Sequence, residues 1–223
     1  MVARLRRSEA HERPFALDCR ECPRLADYLD TCRATHPDYH ARPVPPFGAA
    51  QPRLLVVGLA PGMHGANRSG RPFTGDYAGV VLYSALHRHG FASRPESVHA
   101  NDGLQLQRCR ITNAVKCVPP GNKPTPAEIR QCNGYLRAEL AALPRGAVIL
   151  ALGRIAHEAV LRALALKPSA HAFGHGARYA LPDGTRLFDS YHCSRYNINT
   201  RRLTPAMFDQ VMAEVRLATE RAA

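Results

Sequence analysis

Apolar residues along this chain fall into two kinds of block. Some blocks are short, nearly continuous apolar runs, such as residues 53–59 and 147–153. Runs of this kind are typical of strands that are buried on both faces of a sheet. Residues 110–115 and 186–191 are two further strand candidates. The sequence therefore predicts four strands.

The other blocks carry apolar residues at helical spacing. Helices are predicted over four stretches, 76–89, 125–143, 154–166 and from 204 onward. The second has a clear start signal. Thr125 suits the N-cap, Pro126 suits the first turn and Glu128 completes a capping box. The predicted elements therefore alternate between strand and helix.

This alternation predicts an α/β fold, a three-layer αβα sandwich with a central, mostly parallel four-stranded sheet. In such sheets, ligands bind beyond the carboxyl ends of the strands. The 58–76 loop follows the first predicted strand, Asn113 lies in the second, and His192 follows the fourth. We therefore expect these residues to meet at one edge of the sheet.

The chain is expected to form one folded domain over residues 15–223, preceded by a basic, mobile arm at residues 1–14. Residues 37–52 are rich in proline and predict a loop. No run of eighteen apolar residues occurs, and the first residues lack the apolar stretch of a signal peptide. We expect a cytoplasmic monomer without a membrane segment.

The chain is strongly basic, with 30 Lys and Arg against 18 Asp and Glu and a formal charge of +12. Such an excess favours a polyanionic partner, because neutralised phosphates release their counterions. The same charge can also serve solubility alone. Charge therefore leaves nucleic-acid binding and simple solubility as open alternatives.

Seven cysteines are an odd number for a disulfide framework, which a reducing cytosol does not favour. Cys19 and Cys22 form a C-x2-C pair, and Cys117 and Cys132 flank a proline-containing loop. Four thiolates suit zinc or a cubane cluster, and spacing alone favours zinc, the commoner structural centre. Ordinary thiols are the alternative. Three cysteines are left over, Cys32, Cys109 and Cys193.

The 58–76 loop is dense in glycine and basic residues. Glycines let backbone amides approach a ligand, and Arg68 and Arg71 are candidates for phosphate contacts. The loop lacks the Gly-Lys-Ser/Thr ending of a P-loop and matches no dinucleotide fingerprint. Phe73 would ordinarily be a core aromatic, but in a ligand loop it can stack on a base.

Four segments, in order along the chain, carry a family resemblance. They are Gly58-Leu-Ala-Pro-Gly, His64-Gly-Ala-Asn-Arg-Ser-Gly-Arg-Pro-Phe-Thr-Gly-Asp, Thr112-Asn-Ala-Val-Lys-Cys, and Ser190-Tyr-His-Cys-Ser-Arg-Tyr-Asn with Asn199-Thr200 and Leu203-Thr204. With the cysteine layout, they resemble the type B, or family 5, uracil-DNA glycosylases of the uracil-DNA glycosylase superfamily. The resemblance implies a monofunctional DNA-repair enzyme that flips uracil out of DNA and hydrolyses its N-glycosidic bond, leaving an abasic site.

The resemblance also implies a [4Fe–4S] cluster, which replaces the preference for zinc. Its ligands would be Cys19, Cys22, Cys117 and Cys132, in segments 19–22 and 117–132. The family's cluster is mainly structural, and thiolate ligation would hold the proline-containing loop in one conformation near the DNA.

The sequence departs from the wider superfamily in two places. Cys193 follows His192 where most members have proline, so the loop loses a stiffening residue. Better-known relatives have an acid near the positions of Leu59 and Ala60. Type B enzymes also lack that acid, and Asp76 is the carboxylate that their pattern offers instead. Without the acid, the pocket is expected to accept hypoxanthine or other deaminated bases as well as uracil.

Cleavage of an N-glycosidic bond places positive charge on the sugar and negative charge on the departing base. We hypothesise that Phe73 stacks on the flipped base and that Asn113 reads its edge. His192 would donate to uracil O2. Asp76 would stabilise the oxocarbenium ion or position water. Catalytic roles are thus predicted for Asp76, Asn113 and His192.

Backbone amides near Gly62 and His64 would add hydrogen bonds to the base. The three catalytic candidates also have simpler interpretations. Asp76 is well placed to be merely the N-cap of the next helix. Asn113 can simply form hydrogen bonds with buried backbone groups, and His192 can be a hydrogen-bonded surface residue.

The segment after the fourth predicted strand has a composition that suits DNA. Its cations and amides can grip phosphates, and Tyr196 stands where relatives have the wedge residue. The residues expected to contact DNA are Arg68, Arg71, Ser194, Arg195, Tyr196, Asn197, Asn199 and Arg201. The alternative is an exposed turn before the last helix.

Two other functions compete with the glycosylase. A non-catalytic, metal-stabilised nucleic-acid-binding protein would bind DNA without making abasic sites. A nucleotide or phosphate-ester hydrolase would need a carboxylate metal site, and no such cluster stands near the predicted strand ends.

Overall fold

The fold is centred on one mixed β-sheet. A computed structural model describes residues 15–220, so the basic arm at residues 1–14 and its expected mobility lie outside the described residues. The strands are β1 (Phe47–Gly48), β2 (Leu54–Gly58), β3 (Cys109–Asn113), β4 (Val148–Leu152), β5 (Arg178–Ala180) and β6 (Arg186–Ser190). Their order across the sheet is β1-β3-β2-β4-β6-β5.

The four inner strands, β3, β2, β4 and β6, run parallel and correspond to the four predicted strands. They confirm the mostly parallel sheet. The predicted strand number was wrong, because β1 and β5 add an antiparallel strand at each edge. These strands are 2 and 3 residues long, too short for an apolar pattern to reveal. The first of them lies inside the segment predicted as a proline-rich loop.

Helices make up the outer layers. They are α1 (Pro23–Thr35), α2 (Ala66–Ser69), α3 (Tyr77–Arg88), α4 (Pro126–Ala141), α5 (Arg154–Ala163), α6 (Arg195–Asn199) and α7 (Pro205–Glu220). The four predicted helices are α3, α4, α5 and α7. The capping box of α4 is confirmed, since Thr125 and Glu128 each accept a hydrogen bond from the other's backbone amide. The sequence did not predict α1, whose few buried apolar residues are diluted by polar ones.

The core confirms the three layers. One face of the sheet packs against α3 and α7, where Leu82 and Phe208 are buried. The other face packs against α4 and α5, where Leu136 and Val160 are buried. Every residue of β2 and β4 is buried, which explains their nearly continuous apolar sequences. Across residues 15–220, every helix is too short or too polar to span a bilayer.

Candidate active site

The parallel register brings three loops together. Gly58, the last residue of β2, pairs with Asn113, the last residue of β3. Leu152 at the end of β4 pairs with Ser190 at the end of β6. The 58–76 loop, the segment after Asn113 and the segment that carries His192 therefore leave the same edge of the sheet, as the sequence predicts.

Gly58 lets two of the predicted site residues approach each other. A Cβ atom at this position would lie 2.4 Å from Asn113 Oδ1 and 2.6 Å from Cε2 of Phe73. Contacts this short do not occur, so any side chain here would displace the Asn113 amide or the Phe73 ring. The glycine is required by close approach, and the amide and the ring share one small space.

Phe73 links this space to His192. Its ring stacks on the His192 ring, with 5.8 Å between ring centroids and an interplanar angle of 26°. The Phe73 backbone is in the left-handed region at φ 55°, a conformation that costs a non-glycine residue about 1–2 kcal/mol. Such a conformation persists only where the surroundings enforce it.

Asp76 is the N-cap of the following helix, which is the simpler of the two interpretations that the sequence offered, and one of its carboxylate oxygens takes no part in the cap. Its Oδ1 accepts a hydrogen bond from the Gly79 amide at 2.9 Å, which makes it the N-cap of α3. Its Oδ2 faces the turn after β2, where a Cβ atom on Gly65 would lie 2.5 Å from this oxygen and one on Gly62 would lie 3.4 Å away. The carboxylate therefore has one oxygen committed to the helix and one directed towards the glycine-rich loop.

His192 lies close enough to Asp76 for the two to interact electrostatically. Burial lowers the pKa of His192, and the Asp76 carboxylate acts in the opposite direction. The net shift keeps the imidazole neutral at physiological pH, so one ring nitrogen carries a proton that it can donate. The Asn197 amide fixes this loop by donating to the His192 carbonyl oxygen at 2.8 Å.

Cys193 compensates for the missing proline. It is fully buried, and its thiol donates to the Ala78 carbonyl oxygen at 3.4 Å, which ties the loop to the first turn of α3. Burial raises the pKa of Cys193 to about 12, so the thiol stays protonated and keeps this contact. The loop that carries His192 is therefore held by the packing of Cys193 rather than by the rigid ring of a proline.

His64 directs its side chain towards the surface. Its Nδ1 is 2.9 Å from the Tyr39 hydroxyl, and its ring also packs edge-on against His36. The side chain is therefore engaged away from the predicted pocket, and the role predicted for the backbone amides near Gly62 and His64 stays a prediction. Tyr39 was missed because the prolines around it predict only a loop.

The predicted DNA-contact segment, 194–201, divides into two groups. The Ser194 hydroxyl caps α6 by accepting a hydrogen bond from the backbone amide of Asn197. The side-chain amide of Asn197 donates to the His192 carbonyl oxygen, so the side chains of Ser194 and Asn197 organise the loop itself. The exposed residues of the predicted DNA-contact set are Arg68, Arg195, Tyr196, Asn199 and Arg201. Tyr196 is 72% exposed, which suits a wedge residue.

The expected phosphate contact of Arg71 is wrong. The side chain is 6% exposed and forms an ion pair with Asp102 at 2.8 Å. Its guanidinium also lies 4.3 Å from the centroid of the Phe47 ring. Arg71 is part of the core beneath the loop. The sequence of a basic residue in a glycine-rich loop does not indicate whether its side chain lies at the surface or is buried.

The four cysteines predicted as ligands line one cavity between α1 and the start of α4. None of them forms a disulfide, and the Lys116 amide donates to Cys132 Sγ at 3.3 Å. Burial and the neighbouring Cys132 and Cys19 thiols raise the pKa of Cys22 to about 11. Within residues 15–220, no three His, Cys, Asp or Glu side chains are close enough to hold a single metal ion.

A buried histidine–aspartate pair, which was not among the predicted site residues, lies near the same edge of the sheet. Asp189 on β6 lies 2.8 Å from His157 Nδ1, and both side chains are almost fully buried. The other ring nitrogen of His157 is 2.9 Å from the His171 carbonyl oxygen. The pair ties the loop before β5 to β6, close to where His192 follows. The one feature of the sequence that could have indicated this pair is an aspartate within an otherwise apolar strand.

Comparison with known proteins identifies the relatives of this chain. The model of the uracil DNA glycosylase superfamily matches residues 45–216. The type-5 uracil-DNA glycosylase of Thermus thermophilus is 50% identical over 203 residues, which cover 89% of this chain and 92% of the relative. Those of Mycobacterium bovis and Pyrobaculum aerophilum are 47% and 42% identical, covering 89% and 88% of this chain and 77% and 87% of the relatives. The chain belongs to the uracil-DNA glycosylase superfamily and, within it, to the type-5 family.

Proposed function

We propose that this protein excises uracil from DNA by hydrolysing the N-glycosidic bond, as the names of its relatives indicate for them. One observation carries the proposal for this chain. Phe73 and Asp76 come from the 58–76 loop, Asn113 from the end of β3 and His192 from the segment after β6, and the four lie together at the carboxyl edge of the sheet. This group combines a stacking surface, an amide, a neutral imidazole and a carboxylate.

The chemistry assigns one task to each side chain. An extruded uracil would stack on the Phe73 ring, while the Asn113 amide pairs with the base edge. As the bond to the sugar breaks, electrons pass to the base, and the neutral His192 ring would donate to its O2. The free oxygen of Asp76 would stabilise the positive sugar or orient the attacking water. The products are free uracil and an abasic site.

The exposed part of the 194–201 loop would hold the opened duplex. The exposed Tyr196 side chain would fill the gap left by the extruded base, and the exposed Arg195 and Arg201 would contact phosphates. One chain supplies the complete set of side chains, so we infer that a monomer is sufficient. With Leu59 and Ala60 in place of an acid, hypoxanthine and other deaminated bases are further proposed substrates.

The function is tested with matched DNA duplexes that carry uracil, hypoxanthine or a normal base at one position. The purified protein is expected to convert the uracil position to an alkali-sensitive abasic site, and the hypoxanthine position more slowly. The normal duplex should stay intact. Binding to all three duplexes without abasic sites would overturn the proposal and favour the non-catalytic nucleic-acid-binding protein.

We also propose that the four-cysteine cavity holds a [4Fe–4S] cluster. Its ligands would be Cys19, Cys22, Cys117 and Cys132. The donor set fits such a cluster, because iron–sulfur clusters take thiolate ligands and four thiols line this one cavity. Zinc also accepts four thiolates and is the alternative that the metal content distinguishes. The bound cluster would stabilise the fold by joining α1 to the loop before α4.

Protein purified without oxygen is therefore expected to be brown, with about four iron and four sulfide per chain. Cys132→Ala should lower the iron content and the melting temperature together, because the ligand loop loses its anchor. Cys109→Ala removes a buried thiol of β3 outside the cavity and should retain the iron. A colourless protein with one zinc per chain, or equal iron loss in both variants, would refute the cluster.

The phosphate role of Arg201 predicts a change in salt dependence. For Arg201→Gln, the slope of log affinity against log salt should become shallower by about 0.9, the value for one lost phosphate contact. Arg145→Gln provides the control, because Arg145 is exposed at the opposite edge of the sheet, before β4. Identical slopes for wild type and Arg201→Gln would remove Arg201 from the interface.

A further inference from the structure

A buried ion pair joins the Phe73 segment to a loop that carries no family motif. Nη1 of Arg71 donates to Asp102 Oδ1 at 2.8 Å and to Ser97 Oγ at 2.9 Å. The same guanidinium also donates to the Ala100 carbonyl oxygen. Both charged side chains are 7% exposed or less. The 91–107 loop therefore surrounds Arg71, two residues before the ring that stacks on His192.

Asp102 organises this loop as well as pairing with Arg71. Its Oδ2 accepts the Val98 amide at 2.8 Å, and its Oδ1 accepts the Leu104 amide at 2.9 Å. One carboxylate thus links the two halves of the 91–107 loop and presents a single conformation to Arg71. A neutral side chain would leave the buried guanidinium without its counter-charge.

Two further hydrogen bonds connect to the residues on either side of Phe73. Thr74 Oγ1 is 2.7 Å from Ser97 Oγ, and the Tyr83 hydroxyl donates to the Pro72 carbonyl oxygen at 2.8 Å. The backbone of Phe73, at φ 55°, is therefore held from both sides by buried polar contacts. This arrangement supplies the external restraint that a left-handed aromatic residue requires.

We propose that Asp102 is a positioning residue for uracil recognition, because its ion pair with Arg71 holds the Phe73 ring in the stacking orientation. The inference rests on the proposed function, since it assigns the ring to the extruded base. The ligand whose binding depends on this network is a planar nucleobase, represented in the test by uracil. A merely structural network would stabilise the fold without affecting that base through Phe73.

A double-mutant cycle separates these two possibilities. Asp102→Asn and the milder Ser97→Ala are each made in the wild-type background and with Phe73→Leu. Inhibition by free uracil and single-turnover excision are then measured for every variant, with melting temperature as the folding check. Asp209→Asn is the control, because Asp209 also accepts from Arg88 and His89 but joins α3 to α7 away from Phe73.

With Phe73 present, Asp102→Asn is expected to weaken uracil binding and slow excision about tenfold, and Ser97→Ala about threefold. With Phe73→Leu, each second substitution should change both quantities less than about twofold, because the ring that it positions is already gone. Asp209→Asn should leave both unchanged. If Asp102→Asn does not fold, the Ser97→Ala cycle decides alone.

The positioning role would be overturned if Asp102→Asn reduced uracil affinity and excision rate by the same factor with and without Phe73. It would also be overturned by a lower melting temperature with unchanged uracil affinity. A wild-type protein that makes no abasic site from the uracil duplex would instead contradict the proposed function. The two failures are therefore distinguishable in one set of measurements.

Discussion

Replacing Asp76 by alanine or asparagine is expected to slow single-turnover excision of uracil at least ~10²-fold, which corresponds to about 2.7 kcal/mol of barrier. The physical reason is the loss of negative charge beside the sugar as its positive charge develops. Only Oδ1 of Asp76 is committed to the Gly79 amide, so Oδ2 remains for this role. Rapid-quench measurement of abasic-site formation under enzyme excess provides the rate.

The two substitutions differ in their effect on α3. Asparagine is a good N-cap, whereas alanine removes the cap and should lower the free energy of unfolding by about 1 kcal/mol. A slow but stable Asp76→Asn protein would therefore attribute the rate loss to charge. If Asp76→Asn excised uracil at the wild-type rate and only Asp76→Ala were impaired, Asp76 would be an N-cap and nothing more.

His192→Ala is the second variant with a large expected effect, again at least ~10²-fold in single-turnover excision, because the departing base loses its donor. His87→Ala is a suitable control, since His87 is exposed at the far end of α3. Wild-type rates in His192→Ala would remove His192 from catalysis.

The protonation state of His192 can be checked through stability. Its pKa is about 6.5 in an unfolded chain and is lowered by burial in the folded protein. Between these two values the unfolded chain binds more protons, so the free energy of unfolding should fall as the pH drops below about 6.5. His192→Gln should reduce this fall, and an unchanged pH dependence would contradict a half-buried, neutral imidazole.

The sequence predicted the sheet centre and the meeting point of the site because both follow from strong local patterns. The parallel strands are buried on both faces, so β2 and β4 appear as apolar runs that few other structures produce. Once the strands are parallel, Gly58, Asn113 and the residues after Ser190 must leave the same edge. Topology, rather than local composition, then brought Asn113 and His192 together.

Features that depend on distant partners were not predicted. Arg71 and Asp102 are 31 residues apart, and neither has a local pattern that indicates burial. The charge of Arg71 suggested a contact with phosphate, but its side chain is buried because it pairs with an acid on another loop. The edge strands depend on their neighbours in the same way, because β1 exists only through its pairing with β3.

The replacement of proline by Cys193 shows how one loop is held by a different interaction. From sequence alone the substitution suggested a less rigid loop after β6. The buried thiol contact with Ala78 and the Asn197 bond to the His192 carbonyl supply the restraint instead. Whether a thiol lies next to a carbonyl oxygen is a tertiary property that spacing does not encode.

Phe73, Asn113, His192 and Asp76 are expected to surround one extruded base. A crystal structure of the slow Asp76→Asn variant with a duplex carrying a single uracil would show whether they do. The uracil should lie outside the helix, with its ring against Phe73, its edge at Asn113 and its O2 at His192. A uracil still stacked within the duplex, or bound elsewhere on the protein, would show that these four side chains do not form the base pocket.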